Sequence, residues 1–594
     1  MWITLIILVV AIILFLTEKL PADLVAILVA LSLGFSGVLS FGETFAGFSS
    51  NAVITIMAIF ILAEGLRQAG ITELIGGLLI KLGGRSESTL VLLVMAFSAA
   101  LSLFMNNIAV AAVLLPATVG ATHKIKVSPS RILMPLAFAT ILGGMATLFT
   151  STNIIASSLL VQNGIKGYGV LDFAPLGIPV TIGGILFIYF FGRKVLPNIS
   201  TKSMPEVNGD LVDTYRLEER LTRVKLASGC KIAGSTVASS GLREKYGLNL
   251  VAVERQGEMI LTPPPDFRIR QTDVLLLEGR VQEIDWNSLS EYFEVLPTTK
   301  LEEVDFEDPK IALTEVVLSP RSAIIGKSLK EIHFREKYGM LVLGIWRAGR
   351  PIRSGLANQK LQFGDALLIQ GPRERLKVLA VDPDLILLEA KEGVRQVSTQ
   401  KSIWAGVIFA AVIILSILFS DYIPPIMLGG GLLMILFGLI RMEAVYRSIE
   451  WKSVFIVAGM LPMGSAITQS GLGSLIAEWL LNLGGASAPY LLLVILFFLT
   501  VLLSQVVHGA VIAAIMVPIS IQVSNALGVE PRSVVMAVTL ATSMTLITPL
   551  GHPVNVLVMG PGGYKFKDYV RLGLPLTLVV SVIILTLIPI IWPL

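Results

Sequence analysis

Cysteine is almost missing: Cys230 is the only one in 594 residues. That excludes an internal disulfide and any cysteine-built metal cluster. Charge is scarce as well. Asp, Glu, Lys and Arg make up 15% of the chain and concentrate between about 200 and 402. The net charge of +4 is too small to imply a nucleic-acid partner. Only four histidines occur, His123, His333, His508 and His552, scattered in sequence. No nucleophile–base set and no metal-ligand spacing is visible, so neither an enzyme nor a bound cofactor is expected. The start, Met1-Trp-Ile-Thr-Leu-Ile, has no basic region or small-residue cleavage site. It reads as a first membrane span rather than a signal peptide.

Apolar residues are what the chain has in excess. They account for 54%, and the mean hydropathy is +0.79. That is a polytopic membrane protein. Residues 2–17, 21–40 and 52–69 read as three membrane helices. Residues 88–104 and 107–121 are apolar arms around Asn106-Asn107, which suggests a re-entrant hairpin over 88–121. Residues 131–162 read as a crossing broken near Thr150–Asn153, and 174–194 as the last span of this half.

The pattern returns about 400 residues later. Asn106 matches His508, Pro116 matches Pro518, and Asn153 matches Asn555. The second half reads as 403–420, 424–441, 453–469, a hairpin over 488–523, a broken crossing over 534–560, and 574–592. Five spans plus a hairpin is an odd crossing number, so the second half is expected to be inverted. The fold class is therefore a polytopic α-helical membrane protein of two inverted repeats, 1–198 and 403–594.

Between them lies an insert that is itself repeated. Leu242-Arg-Glu-Lys-Tyr-Gly matches Phe334-Arg-Glu-Lys-Tyr-Gly, and Asp273–Gly279 matches Asp365–Gly371. Alternating apolar runs with Gly and Asp turns indicate two small α+β modules, 199–300 and 301–402. With the insert in the cytoplasm, Arg67, Lys81, Arg85, Lys124, Arg193 and Arg447 fall inside, and both termini fall outside.

Irregular backbone survives at membrane depth only where protein buries it or where it lines a wet cavity. Broken segments at matching places in two halves point to a transporter's binding site. Asn106, Asn107, Thr150, Ser151, Thr152 and Asn153 offer oxygens for sodium. Half-helix N-termini suit an anion. Neither motif holds a Lys or Arg, so dipoles, amides, hydroxyls and bound cations would do the binding. The plainer alternative is that these polar groups only pair helices. His508 and His552, if protonated, could bind the anion or carry a coupling proton; neutral, each would simply bond a carbonyl. Glu64 reads as a solvated or helix-pairing residue, and Gly429-Gly-Gly431 as a close-packing surface.

Several motifs carry a family likeness. They are Asn106-Asn-Ile-Ala, Gly143-Gly-Met-Ala-Thr, Phe45-Ala-Gly-Phe-Ser-Ser50 and the stretch Pro549-Leu-Gly-His-Pro-Val-Asn through Tyr564. With them the membrane part resembles the divalent anion–sodium symporters (SLC13-type carboxylate and sulfate carriers) of the ion transporter superfamily. The inserted modules are similar to TrkA-C (RCK-C) domains of sulfate-type permeases in that family. The resemblance covers nearly the whole chain.

It implies a homodimeric elevator in a bacterial inner membrane, surrounded by lipid and coupled to sodium. The expected cargo is a small divalent anion, sulfate first and a di- or tricarboxylate second. It further implies substrate contacts at Asn107, Ile108, Thr152, Asn153, Gly509, Pro553 and Asn555. Sodium contacts are implied at Asn106, Asn107, Thr150, Ser151, Thr548 and Gly551. The family's hairpin tips read Ser-Asn-Thr or Ser-Asn-Asn, whereas here they are Asn106-Asn107-Ile108 and His508-Gly509-Ala510. Proton coupling, an export antiporter and a channel gated by the modules remain alternatives. A channel needs a continuous pore and a filter, and no filter-like repeat is present. The modules would sense a small ligand or stabilise the dimer.

Overall fold

The computed structural model describes residues 1–17, 19–71, 77–78, 86–197, 399–484 and 489–593, with most of 221–296 and 311–388. Leu82-Gly-Gly84, Lys81, Arg85, Arg243–Gly247 and the expected boundaries near 199 and 301 lie outside the described residues.

The first half opens with α1 (Trp2–Thr17) and α2 (Ala22–Phe35). The expected span 21–40 stops early. Gly37 turns the chain at φ +71, and Ser40 with Glu43 forms a capping box that starts a separate short helix, α3 (Phe41–Phe45). Next come α4 (Asn51–Gln68), α5 (Glu87–Ser102), α6 (Asn107–Lys124), α7 (Leu133–Gly144), α8 (Ser151–Gln162) and α9 (Ala174–Phe187). The break between α7 and α8 covers 145–150, so Ser151, Thr152 and Asn153 form the first turn of α8 instead of the break itself.

Two five-stranded antiparallel sheets follow. The first holds β1 (Leu221–Leu226), β2 (Asn249–Arg255), β3 (Glu258–Leu261), β4 (Val274–Glu278) and β5 (Phe293–Val295), in the order β3-β2-β4-β1-β5. The second holds β6 (Ile311–Leu318), α10 (Phe334–Tyr338), β7 (Leu341–Arg347), β8 (Arg350–Ile352), β9 (Ala366–Pro372), α11 (Arg373–Leu379) and β10 (Leu385–Leu387). Its order, β10-β6-β9-β7-β8, is the same arrangement with each strand replaced by its counterpart. Both sheets carry a bulge at the same place, Leu250/Ala252 and Val342/Gly344. Both carry the same ion pair, Arg255–Asp273 and Arg347–Asp365, each at 2.7 Å with its carboxylate fully buried. Burial alone would raise the Asp273 pKa, but the two-point bond from Arg255 and the Arg270 N–H hold it below the ordinary range. Cys230 lies in the first sheet's apolar core, and His333 is an exposed residue paired with Glu336.

The second half runs α12 (Thr399–Leu418), α13 (Ile423–Leu436), α14 (Met442–Ser448), α15 (Trp451–Gln469), α16 (Leu472–Gly484), α17 (Pro489–Ser504) and α18 (Gly509–Leu527). It ends with α19 (Pro531–Thr542), α20 (Pro553–Met559) and α21 (Phe566–Ile591). Six helices among the described residues are long and apolar enough to cross a membrane.

The helices sort into two packed groups. In one, α2 packs on α15, α4 on α13, and α12 on both α4 and α13. A methyl on Gly430 would stand 2.2 Å from Val412, which is why this glycine lets α13 lie against α12. In the other group, α5 and α6 pack on α7, α9 on α21, α17 and α18 on α19, and α20 on α6 and α7. The groups meet where α15 crosses α18 and α4 crosses α8.

Candidate functional site

Each helix hairpin has a capped tip. The arms α5 and α6 meet at Leu103–Asn106, and the Asn106 side-chain oxygen accepts the Ile108 N–H at 2.8 Å. The arms α17 and α18 meet at Gln505–His508, and His508 Nδ1 accepts the Ala510 N–H at 3.4 Å. Both side chains satisfy a donor that a helix start leaves open. A neutral imidazole with Nδ1 as acceptor carries its proton on Nε2.

Each break is stapled to its tip by matching bonds. Thr147 Oγ1 donates to the Leu103 carbonyl and Thr548 Oγ1 to the Gln505 carbonyl, both at 2.5 Å. The Asn153 amide donates back to the Thr147 carbonyl at 2.7 Å. The Asn555 amide donates back to the carbonyls of Thr545 at 2.9 Å and Thr548 at 3.2 Å. These bonds pair carbonyls that the unwound chain would otherwise leave bare. The second break has an extra brace: Gln505 donates to Met544 O and accepts from Ile547 N–H.

The tips and breaks of both halves line one partly open cavity of about 80 Å³. Asn106, Asn107, Ile108, Thr150, Ser151, Thr152, His508, Gly509, Gly551, His552 and Pro553, all named from the sequence, lie along its wall. Asn153, Thr548 and Asn555 do not; their side chains turn inward to hold the breaks. The wall also holds Ile141, Phe149, Glu450, Ser453, Thr542, Ser543 and Thr545, which sequence reading missed. Glu450 and Ser453 open α15 and were signalled by the Phe45–Ser50 motif, which occupies the same place before α4. Gln505 was signalled by an amide in an apolar stretch three residues before His508.

Polar contacts join the two halves at the cavity wall. Thr152 Oγ1 lies 3.1 Å from Ser543 Oγ. The Asn107 amide lies 3.4 Å from His552 Nε2 and 2.5 Å from the Ser102 hydroxyl, which also lies 2.7 Å from Thr140 O. His552 Nδ1 caps α20 by accepting the Val554 N–H at 3.2 Å. The short contact is an O–H···O bond: the Ser102 hydroxyl donates to Asn107 Oδ1, and the Asn107 NH₂ faces His552 Nε2.

Among the lining residues there is no Lys or Arg; Glu450, His508 and His552 are the ionisable ones. Thr150 makes no side-chain cap, so the first N–H groups of α8 remain for a ligand. Thr545 Oγ1 and Asn555 Oδ1 are buried with no hydrogen-bond partner. Orphaned oxygens beside an unwound segment fit a hard cation. Glu64 stands apart from the cavity lining and pairs with Arg67 on its own helix.

A family model described as Citrate transporter matches residues 12–509 and 483–593. The chain is 33% identical to Uncharacterized transporter YfbS of Escherichia coli (strain K12), over 98% of each chain. It is 24% identical to Sodium/sulfate cotransporter 2 of Chlamydomonas reinhardtii, over 58% of this chain and 40% of that one. It is 26% identical to Sodium-dependent dicarboxylate transporter SdcS of Staphylococcus aureus (strain MRSA252), over 25% of this chain and 28% of that one.

Proposed function

We propose that this chain, which belongs to the citrate transporter family and is a multi-pass membrane transporter, takes up a small divalent anion with sodium. One observation carries the reading. Two hairpin tips and two helix breaks contribute hydroxyls, amides and imidazoles to a single cavity without a Lys or Arg. Such a cavity favours an anion through helix N-termini and neutral donors, with bound sodium supplying the balancing charge. The orphaned oxygens of Thr545 and Asn555 are the natural sodium ligands of the second half. His508 presents its Nε2–H toward the cavity and His552 Nε2 faces the Asn107 amide, while their Nδ1 atoms cap helices.

Sulfate is the first cargo to test. The cavity of about 80 Å³ has room for a small oxyanion. The sodium/sulfate name of one relative supports the same choice. A di- or tricarboxylate is the second reading, favoured by the family description and by the dicarboxylate name of another relative. In this reading the α5–α9 and α17–α21 group carries the anion past the other helix group in a homodimer. The sheets, as TrkA-C-like modules, face the cytoplasm and the termini face outward, in line with the charge bias.

The test is uptake into proteoliposomes. Labelled sulfate, succinate and citrate are offered under an inward sodium gradient, an inward proton gradient, or neither. Saturable sulfate uptake driven by sodium alone is expected. Uptake driven by protons alone removes the sodium assignment, and unsaturable flux removes the carrier.

A further inference from the structure

The second sheet meets the membrane part at two places. One is the turn before β9, which Asp365 holds in shape. Its buried carboxylate takes Arg347 at two points and the Gln362 N–H at 2.8 Å. At the tip, Gly364 has φ +87 and rests on α20. A Cβ built on Gly364 would stand 2.8 Å from the Val556 carbonyl oxygen. A Cβ built on Gly560 would stand 2.3 Å from the Gly364 carbonyl oxygen. The two backbones touch directly, an approach that side chains would block. The same short helix begins just after His552 and carries Asn555.

The second place is β10, which packs on α6, the inner arm of the first hairpin. Phe363, Ile386 and Leu388 join the same apolar cluster as Leu114 and Leu115 of α6 and Leu557 of α20. The chain leaving this sheet enters α12, which packs on α4 and α13. The sheet is thus tied covalently to one helix group and docked on the other.

We propose that the second sheet is an intramolecular latch. Docked, it holds the hairpin-and-break helices against the α4–α12–α13 group; transport requires it to lift off α20 and α6. The functional readout rests on the transport reading, whereas the docking itself does not.

Two variants of the full-length protein test it. A methyl at Gly560 would meet nothing but Gly364 within 4 Å, and the φ of −62 suits alanine. Gly560→Ala is therefore expected to raise the initial uptake rate at least threefold, with KM within twofold of the parent. An unchanged rate in protein present at parental levels overturns the latch. The second variant pairs Phe363→Cys with Val556→Cys in a Cys230→Ser background, bridged in membranes by a short bis-methanethiosulfonate reagent that joins the two thiols through disulfides. A cross-link is expected to form and to cut uptake at least tenfold, reversed by reductant. No cross-link overturns the docking, and full-rate transport by the cross-linked protein overturns the latch. Cross-link yield needs no substrate, so failure of the latch and failure of the transport reading are told apart.

Discussion

The two halves of the membrane part solve one backbone problem with different side chains. The first caps its hairpin with Asn106, the second with His508. The first leaves its resumed helix α8 without a side-chain cap at Thr150, while the second caps α20 with His552. The staples between break and tip are the same in both. Thus the bonds that hold unwound chain in place are kept, and the groups that face the cavity are free to differ. The first half offers amides, hydroxyls and open N–H groups; the second offers imidazoles and the hydroxyls of Thr542, Ser543 and Thr545, with the orphaned Asn555 oxygen behind the wall. Under the proposed function, this division would put amide contacts to the anion in the first half and a cation seat in the second.

The sharpest way to break this comparison is to charge the first tip. Asn107→Asp would place a carboxylate beside the anion and destroy the Ser102–Asn107–His552 chain. The KM for sulfate is expected to rise about 100-fold, near 3 kcal/mol of binding. His508→Asn keeps a capping side chain but loses the Nε2 donor, and about tenfold is expected. Equal losses at the two tips would contradict the unequal roles given to them.

A smaller effect separates the two braces. Asn555→Ala frees two break carbonyls and Asn153→Ala frees one. Each bare buried carbonyl costs about 1–2 kcal/mol. Thermal melting of purified protein is expected to fall further for Asn555→Ala. The reverse order would mean that the second break is held by Gln505 alone.

Much of this was legible in the sequence, and the part that was not has a physical cause. Apolar length fixed α1 at Trp2–Thr17, and the polar pair Asn106-Asn107 marked a hairpin tip. Recurrence about 400 residues later paired the tips and breaks that do line one cavity. The inward turn of Asn153 and Asn555 was hidden, because residue type does not say whether an amide faces a ligand or its own backbone. Glu450 and Ser453 were missed because their signal, the matching place before α4, gains meaning only when packing brings α15 to the wall. Short helices such as α3 and α14 fall below any membrane-length pattern.

The smallest expected effect lies in the sheets. Asp273 is held below the ordinary carboxyl pKa of about 3.9. Its contribution to stability is complete above that value and is lost as pH falls through the lower, folded value. Proteolysis of the insert in membranes is therefore expected to be flat from pH 7 to about 4 and to rise only in more acid buffer. Arg255→Met removes the partner and would move the onset upward. An onset unchanged by that substitution would detach the ion pair from the stability of the first sheet.

The account stands or falls on whether both halves grip one anion. Equilibrium binding of labelled sulfate to the purified protein, in sodium and in choline, reads this directly. Thr152→Val and Ser543→Ala remove hydroxyls 3.1 Å apart on opposite halves. Sodium-dependent binding is expected, with a double-mutant coupling of about 1 kcal/mol between the two changes. Binding indifferent to sodium, or losses that simply add, would contradict a site shared by the two halves.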